Sequence, residues 1–566
     1  MKTRIKYAAV SLFAAMLLTG CLDLDQRPTD RYLDETFWRD LERAQGVLYM
    51  AYNQMYSFAH TWEDECVSDN MMATYSNDNV ATIRRGNATP STPHFENRWK
   101  WLFEGIRTCN TFLEGIEFTQ GVEPGQKDRM IAEIRFIRAY LYFRGVIFWG
   151  DMPHIFRVLT VAETANTPRI PKADMMAILH QEINEIIDLL PTRQQLPAAE
   201  NGRITQGAAA MLKIRFYLME NNMPKVEEWC RDFMDGEYGD YDLFTGSSPN
   251  YSSYESLFHS AHEYNCEVIL DYAAVITNKE WNTIGMAPQT LTGRVLTSRT
   301  PTQSLVDDYI TLNGLPVKGA VTFPEPYNSD PSYNEANPYV NRDPRLDATV
   351  VYDKFVWKDK DAAGNLIQQT IYIWPGTIPN SATAFVGRPD ENQYPGPAAT
   401  KTGYYLRKLY DPDNRGEQRM NNNRILMRYA DVLLMYAEAC QANGTFNETV
   451  WNETIRPIRV RAGFTSIGAL DYPSGLDADN YRELIRRERR CELALEGLRY
   501  FDLIRWNLGT TLLNRTMYGA RMGGVSNNEY VEVDTWQFRA NRDGLWSLPF
   551  LEMNRAPAIR PNNPNY

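Results

Sequence analysis

Apolar residues recur at three- and four-residue spacing through the first third of the chain, the signature of amphipathic helices. Thr36 to Phe58 carries Phe37, Leu41, Ala44, Leu48, Ala51, Tyr52 and Met55 on one face, and Asn97 to Phe118 repeats the pattern. Lys127 to Trp149 holds the stripe Met130, Ile134, Ile137, Leu141, Gly145 and Phe148, and stops at Gly150 with Pro153 beyond. Further helices are predicted over Lys172 to Leu190, Thr205 to Glu220 and Lys225 to Met234. Between the first two lies a polar stretch, Ser68 to Pro93, that reads as an irregular loop.

The pattern changes over residues 235–405, which are rich in Gly, Pro, Asn, Ser, Tyr and Thr. Short β-like runs appear at Glu267 to Tyr272, Thr349 to Trp357 and Thr370 to Trp374. The last two flank Lys358 to Leu366, whose Ala363-Gly364-Asn365 predicts a hairpin turn. A long loop-rich region inside a compact chain is usually functional. Helical periodicity returns at 424–443 (Ile425, Tyr429, Val432, Leu433, Tyr436, Ala437, Cys440), continues over 447–462, and resumes from Asp479 to Leu498. From Leu545 the chain is Pro- and Asn-rich and reads as a surface strap. Helix pairs of about 34 residues suggest stacked hairpins of the tetratricopeptide kind, although no clean sequence repeat supports this. The expected fold is mainly α: a tetratricopeptide-like scaffold over about 35–235 and 420–510, with a loop-rich lobe of short β-hairpins over about 236–419 joined by the 60–95 loop.

Composition narrows the partners. The chain has 566 residues, 43% hydrophobic and 23% charged, which is globular usage, and its net charge of −12 argues against nucleic acid. Thirty-three Tyr, 23 Phe and 13 Trp could serve a core or a sugar-stacking surface. Cys66, Cys109, Cys230, Cys266, Cys440 and Cys491 are scattered, so mostly buried free thiols are expected. The N-terminus reads as an export signal: Lys2, Arg4 and Lys6 precede an apolar run from Tyr7 to Leu18, too short for the roughly 20 residues of a spanning helix. Leu18-Thr19-Gly20-Cys21 resembles a bacterial lipobox, in which the Cys thiol takes diacylglycerol. A plain secretory signal with an incidental Cys is the alternative. On the lipobox reading residues 1–20 are removed, and Cys21 carries several acyl chains, enough for stable anchoring.

Five segments then carry a family resemblance. Glu133-Ile-Arg135-Phe-Ile-Arg138-Ala139-Tyr140, followed by Gly150-Asp-Met-Pro153, is the first. Pro301-Thr302 with Leu305-Val306-Asp307-Asp308-Tyr309 and Asn313-Gly314, and Arg342-Asp343-Pro344-Arg345-Leu346, follow. Arg428-Tyr429-Ala430-Asp431 through Glu438-Ala439, and Ile458-Arg459-Val460-Arg461-Ala462-Gly463, are further matches. The most specific runs from Ile485 to Trp506 and includes Glu488, Glu492, Glu496-Gly497 and Arg499-Tyr500-Phe501-Asp502. In order and over essentially the whole chain, these resemble the SusD/RagB nutrient-uptake lipoproteins of the Bacteroidetes. The resemblance implies one SusD-like domain over 21–566, anchored in the outer membrane and facing outward. It also implies a non-catalytic role, handing glycan or another nutrient to a SusC-like TonB-dependent β-barrel transporter.

Candidate chemistry is weighed against this. Glu488 falls on the apolar stripe one turn after Leu484, amid arginines; an Arg-paired structural carboxylate is expected rather than a general acid. A glycosidase would need two spaced carboxylates, which 71 acidic residues cannot exclude, so a lipid-anchored hydrolase and a gating scaffold without ligand remain the rivals. No cofactor is expected. Asp411-Pro-Asp413-Asn414 starts like an EF-hand loop, but Arg415 takes a ligand position and Asn422 stands where Glu belongs. Asp359 and Asp361 read as a hairpin tip, and an incidental calcium is compatible with the family. The positive lead is aromatics in polar segments: Trp281 in NKEWNT, Trp62 in HTWEDE and Tyr75 in ATYSND. Asp69, Asn70 and Arg84 are candidate partners for sugar hydroxyls, and Trp281 is the first choice for a stacking platform.

Overall fold

A computed structural model describes residues 37–73, 79–246, 250–275, 279–282, 286–288, 291, 299–317, 330–361, 363–374, 400–414, 419–521 and 530–566. Cys21 and Tyr75 lie outside these residues. The N-terminal scaffold comprises α1 (Leu41–Met55), α2 (Phe58–Cys66), α3 (Pro93–Gly115), α4 (Pro124–Trp149), α5 (Lys172–Ile186), α6 (Gln206–Met219) and α7 (Met223–Met234). Each start has a local cause. Asp40, Thr205 and Asn222 accept backbone N–H groups as N-caps of α1, α6 and α7, and Pro sits in the first turn of α3, α4 and α7. Helix α4 is buried on almost every side from Met130 to Trp149 and packs against α1, α3 and α5. It is the axis of the first half.

Helix α8 (Gln303–Asp308) lies in the lobe, and α9 (Tyr429–Asn443), α10 (Ile455–Ala462), α11 (Ala478–Glu492) and α12 (Arg499–Arg505) complete the scaffold. Helix α9 packs between α7 and α11, which makes one helical array of the two halves. The expected mainly α architecture with small β elements is what the chain adopts. The strands β1 (Met71–Ala73), β2 (Val268–Tyr272), β3 (Trp281–Asn282), β4 (Arg299–Pro301), β5 (Phe355–Lys360), β6 (Leu366–Ile371), β7 (Arg419–Met420), β8 (Arg424–Arg428), β9 (Thr516–Arg521) and β10 (Tyr530–Thr535) pair only as two-stranded antiparallel ribbons among the described residues.

Several segments differ from expectation. The helical stripe was expected to begin at 424, yet Arg424–Arg428 is a strand paired with β2, and Ile425 sits opposite Asp271. The expected strands stopped short of the 363–365 turn, whereas β5 and β6 pair through Lys358↔Gln368 to Lys360↔Leu366, the polar side chains covering a solvated face. The Ser68–Pro93 loop is largely built: β1 pairs with β4, and a short helix spans Asn79–Arg84. The C-terminal strap is packed rather than laid on. Trp546 stacks on Phe148 at 3.9 Å, and the Asn563 side chain donates to the carbonyls of Trp149 and Trp546. All six described cysteines are free thiols, five of them buried.

The lobe is bound to the scaffold by buried charge. Arg345 joins Asp343 to Glu488 and Glu492 of α11; Arg428 joins Glu492, Glu496 and Glu267; Arg461 joins Glu267 and Glu492; Arg459 joins Glu488, and Lys408 joins Glu496. Five cations meet five carboxylates, so the cluster is neutral. Glu492 is wholly buried; burial opposes its charge, but Arg461, Arg428 and Arg345 hold its carboxyl well below the usual range. Glu488 is therefore structural, as its place on the stripe implied.

Candidate functional site

The sequence candidates come together, but inward. Trp281 is 4% exposed and Trp62 3%. Their rings lie 6.1 Å apart with the Arg424 guanidinium over both, at 4.5 and 4.6 Å. The Trp281 indole N–H donates to the Asn422 carbonyl at 3.0 Å. Trp281 has no apolar neighbours close in sequence, which left it either packed by distant elements or free for a ligand; β7 and β8, some 140 residues downstream, supply its surroundings. Trp62 was expected in an irregular segment and instead faces inward from α2. Neither ring is a surface platform; together they clamp a buried cation.

Asp69, Asn70 and Arg84 are likewise structural in placement. Asp69 is fully buried; burial would raise its carboxyl, yet Arg490 and Arg499 pull it well below the ordinary range. Its backbone carbonyl accepts the Thr302 hydroxyl, and Thr302 caps α8. Asn70 links the Glu65 carboxylate to Arg490 at 2.9 and 2.8 Å. Arg84 donates to the Ala73 carbonyl and lies over Trp536. These residues hold the base on which α8 stands.

Helix α8 carries the floor of a cleft of about 400 Å³ that the sequence reading missed. Tyr333 and Tyr339 come from the loop after residue 330, Tyr352 from the turn before β5, and Trp374 from the segment after β6. Tyr404 and the β10 residue Tyr530 complete the aromatic lining. Tyr339 and Tyr352 stack at 3.9 Å and 13°, both half-buried. Trp374 approaches the chain at Gly403 so closely that a Cβ there would lie 2.5 Å from its ring; Gly403 also has φ +75°.

Polar groups are interleaved with the rings. Gln303 donates to Asp307 at 2.7 Å and accepts the Tyr404 hydroxyl at 2.5 Å, and the Tyr339 and Tyr404 hydroxyls meet at 3.2 Å. Burial pushes the Asp307 carboxyl up to about 7, against the pull of the Gln303 bond and the Arg342 charge. Arg521 pairs with Glu335 at 2.9 Å and lies over Tyr530 at 4.7 Å. Arg342 donates to the carbonyls of Val306, Tyr309 and Pro338, tying the 330–340 loop to α8. Flat apolar faces beside fixed donors and acceptors suit a ring that is apolar on its face and hydroxylated at its edge.

Among the described residues no group of three or more His, Cys, Asp or Glu is arranged to hold a metal ion, and no helix is long and apolar enough to cross a membrane. Asp413 pairs with Lys360, and Asp361 accepts the N–H groups of Ala363 and Asn365 as a turn cap.

Comparison with known proteins extends the architecture. Over 93% of this chain and 100% of the other, the fold is similar to a SusD-like carbohydrate binding protein of Bacteroides fragilis, with TM-score 0.78 and 26% identity. It also matches a SusD homolog of Bacteroides thetaiotaomicron with TM-score 0.68 and 18% identity, over 94% and 98% of the two chains. In sequence it is 23% identical over 527 residues to a SusD-like protein of Bacteroides ovatus, covering 89% of this chain and 83% of that one. Residues 26–218 match a family described as starch-binding associating with outer membrane, and residues 255–566 match the SusD family. With more than half of its length in that second match, on the helical scaffold and lobe described above, the chain belongs to the SusD family.

Proposed function

We propose that the chain captures an oligosaccharide in the tyrosine-lined cleft and passes it to a partner TonB-dependent barrel, while lipid on Cys21 tethers it to the outer membrane. The observation that carries this reading is the Tyr339–Tyr352 stack beside Asp307 and Gln303 in a cleft of about 400 Å³. The likeness to the carbohydrate binding protein of Bacteroides fragilis supports the ligand class. Covering one such ring with a sugar face is worth about 1.5–3 kcal/mol. Membrane association is supported by the match at residues 26–218 and by the lipobox.

The hydrolase rival is disfavoured by what its second carboxylate would be. Glu335 is tied to Arg521, and Asp353 accepts the N–H groups of Ile373 and Trp374. Both are engaged, whereas a general base must reach water. Isothermal calorimetry against a panel of oligosaccharides, with a reducing-sugar assay on each binder, tests the proposal. Saturable binding without release of reducing ends is the expected result. Hydrolysis abolished by Asp307→Asn would replace binding with catalysis, and no binding to any glycan would favour the gating scaffold.

A further inference from the structure

The aromatic surface of the tyrosine cleft continues past its mouth. Tyr530 lines the cleft from β10, and on the neighbouring strand β9 the Tyr518 ring lies 6.4 Å from it, inclined at 62°. Tyr518 is 40% exposed. Its place in the strand explains this: Met517 and Ala520 turn inward and are buried, which leaves Tyr518 on the outer face. The residue directly opposite in the ribbon is Glu532, itself exposed, so the pairing partner gives the ring no apolar cover.

The ribbon that carries this ring is tied to the cleft at two points. The Ala520 N–H donates to the Thr402 carbonyl at 2.7 Å, two residues before the cleft residue Tyr404. The strands approach so closely there that a Cβ on Gly519 would lie 2.4 Å from the same carbonyl oxygen, a contact only glycine avoids. At the base of β9, Arg515 donates to the Ser304 hydroxyl of α8, the helix that carries the cleft floor. Tyr518 therefore stands at a set position relative to the cleft, and its exposed face is held there without help from a ligand.

We infer that Tyr518 is a further sugar subsite, outside the cleft and continuous with it, so that the protein selects a chain of several residues over a mono- or disaccharide. The inference rests on the reading of the cleft as a glycan site and adds the length that the site prefers. The ring offers a flat apolar face, and the Glu532 carboxylate beside it offers acceptors to hydroxyls at a sugar's edge. The step from Tyr530 to Tyr518 is of the order of one sugar residue. A chain anchored in the cleft presents its next residues to Tyr518 at high effective concentration, so a ring that is only partly covered still adds to affinity. A disaccharide seated in the cleft does not reach it.

The test is calorimetry on the full-length protein with malto-, cello-, xylo- and laminari-oligosaccharides, each from disaccharide to hexasaccharide. Wild type is compared with Tyr518→Ala and with Tyr339→Ala/Tyr352→Ala. In the series that binds, wild-type affinity should rise with length beyond the disaccharide. Tyr518→Ala should remove that rise and bind the hexasaccharide roughly fivefold more weakly, with disaccharide affinity and the melting curve at wild-type values. The cleft variant should lose affinity at every length. Binding that falls in the cleft variant but is identical in wild type and Tyr518→Ala at every length overturns the subsite and leaves the cleft standing. A loss in Tyr518→Ala that is equal at all lengths also overturns it, because the ring would then belong to the primary site. No binding of any series by wild type overturns the cleft reading and this inference with it.

Discussion

Replacing Glu488 by Gln isolates the charge cluster that joins lobe to scaffold. Glu488 is 2% exposed, with Arg345 at 2.7 Å from one carboxylate oxygen and Arg459 at 2.8 Å from the other. The substitution keeps the shape and removes one negative charge, leaving five buried cations against four carboxylates. Arg345 retains Asp343 and Glu492, so Arg459 takes most of the loss. Breaking a buried pair from one side costs about 3–5 kcal/mol. At about 2.1 cal/mol/K per residue, the 546 residues from Cys21 onward unfold with roughly 1.1 kcal/mol/K, so the melting temperature should fall by roughly 3–4 °C. The pH dependence gives a second reading. Burial would raise the Glu488 carboxyl, but Arg345 and Arg459 outweigh it and lower it below the ordinary 4.5. A depressed carboxyl stabilises fully above its unfolded value and loses that contribution as pH falls through the folded one. Calorimetric scans should therefore show the full gap between wild type and variant at neutral pH, closing below about pH 4. An unchanged melting temperature at neutral pH, or a gap that persists in acid, would refute the reasoning.

Trp281→Ala should destabilise the fold by about 3–5 kcal/mol, as for other buried Trp truncations, while calorimetry on the folded fraction finds glycan affinity unchanged. Because sugar hydroxyls donate best to an ionised acceptor, glycan affinity should rise as pH increases through about 7, where Asp307 ionises, and Asp307→Asn should flatten that profile in calorimetry at stepped pH. Cys21→Ser should move the protein from the membrane fraction to the soluble one on cell fractionation; equal retention would count against lipidation.

Much of the scaffold was legible because its stripes are long. Met130 to Phe148 and Val432 to Cys440 repeat over several turns, and few other structures accommodate them. The failures are non-local. Arg424 to Arg428 continues a helical stripe, but pairing with β2 takes it into a strand. Helix α11 was expected to reach Leu498 and ends at Glu492, whose carbonyl accepts Tyr254, Lys408 and Arg428 instead of the next turn. Glu488 was legible because a carboxylate on an apolar face amid arginines has few other fates. Trp281 and Trp62 were misread because their local neighbours are polar, while Met420, Asn422 and Arg424 come from far along the chain. The cleft tyrosines arrive from separate segments, none marked by periodicity. The one available signal was Tyr333 and Tyr339 in the Pro- and Asn-rich run 331–340, beside the Arg342 motif.

The most direct test of the glycan cleft is calorimetry with the tightest-binding oligosaccharide on three proteins: wild type, Tyr339→Ala/Tyr352→Ala, and Trp62→Ala/Trp281→Ala. Losing the stacked pair should cost about 1.5–3 kcal/mol, a roughly ten- to hundredfold weaker Kd, with the melting curve close to wild type. The Trp pair should show the reverse: a lowered melting temperature and wild-type affinity per folded molecule. Wild-type affinity in the tyrosine variant, with binding abolished in a folded tryptophan variant, would contradict the account and move the ligand to Arg424.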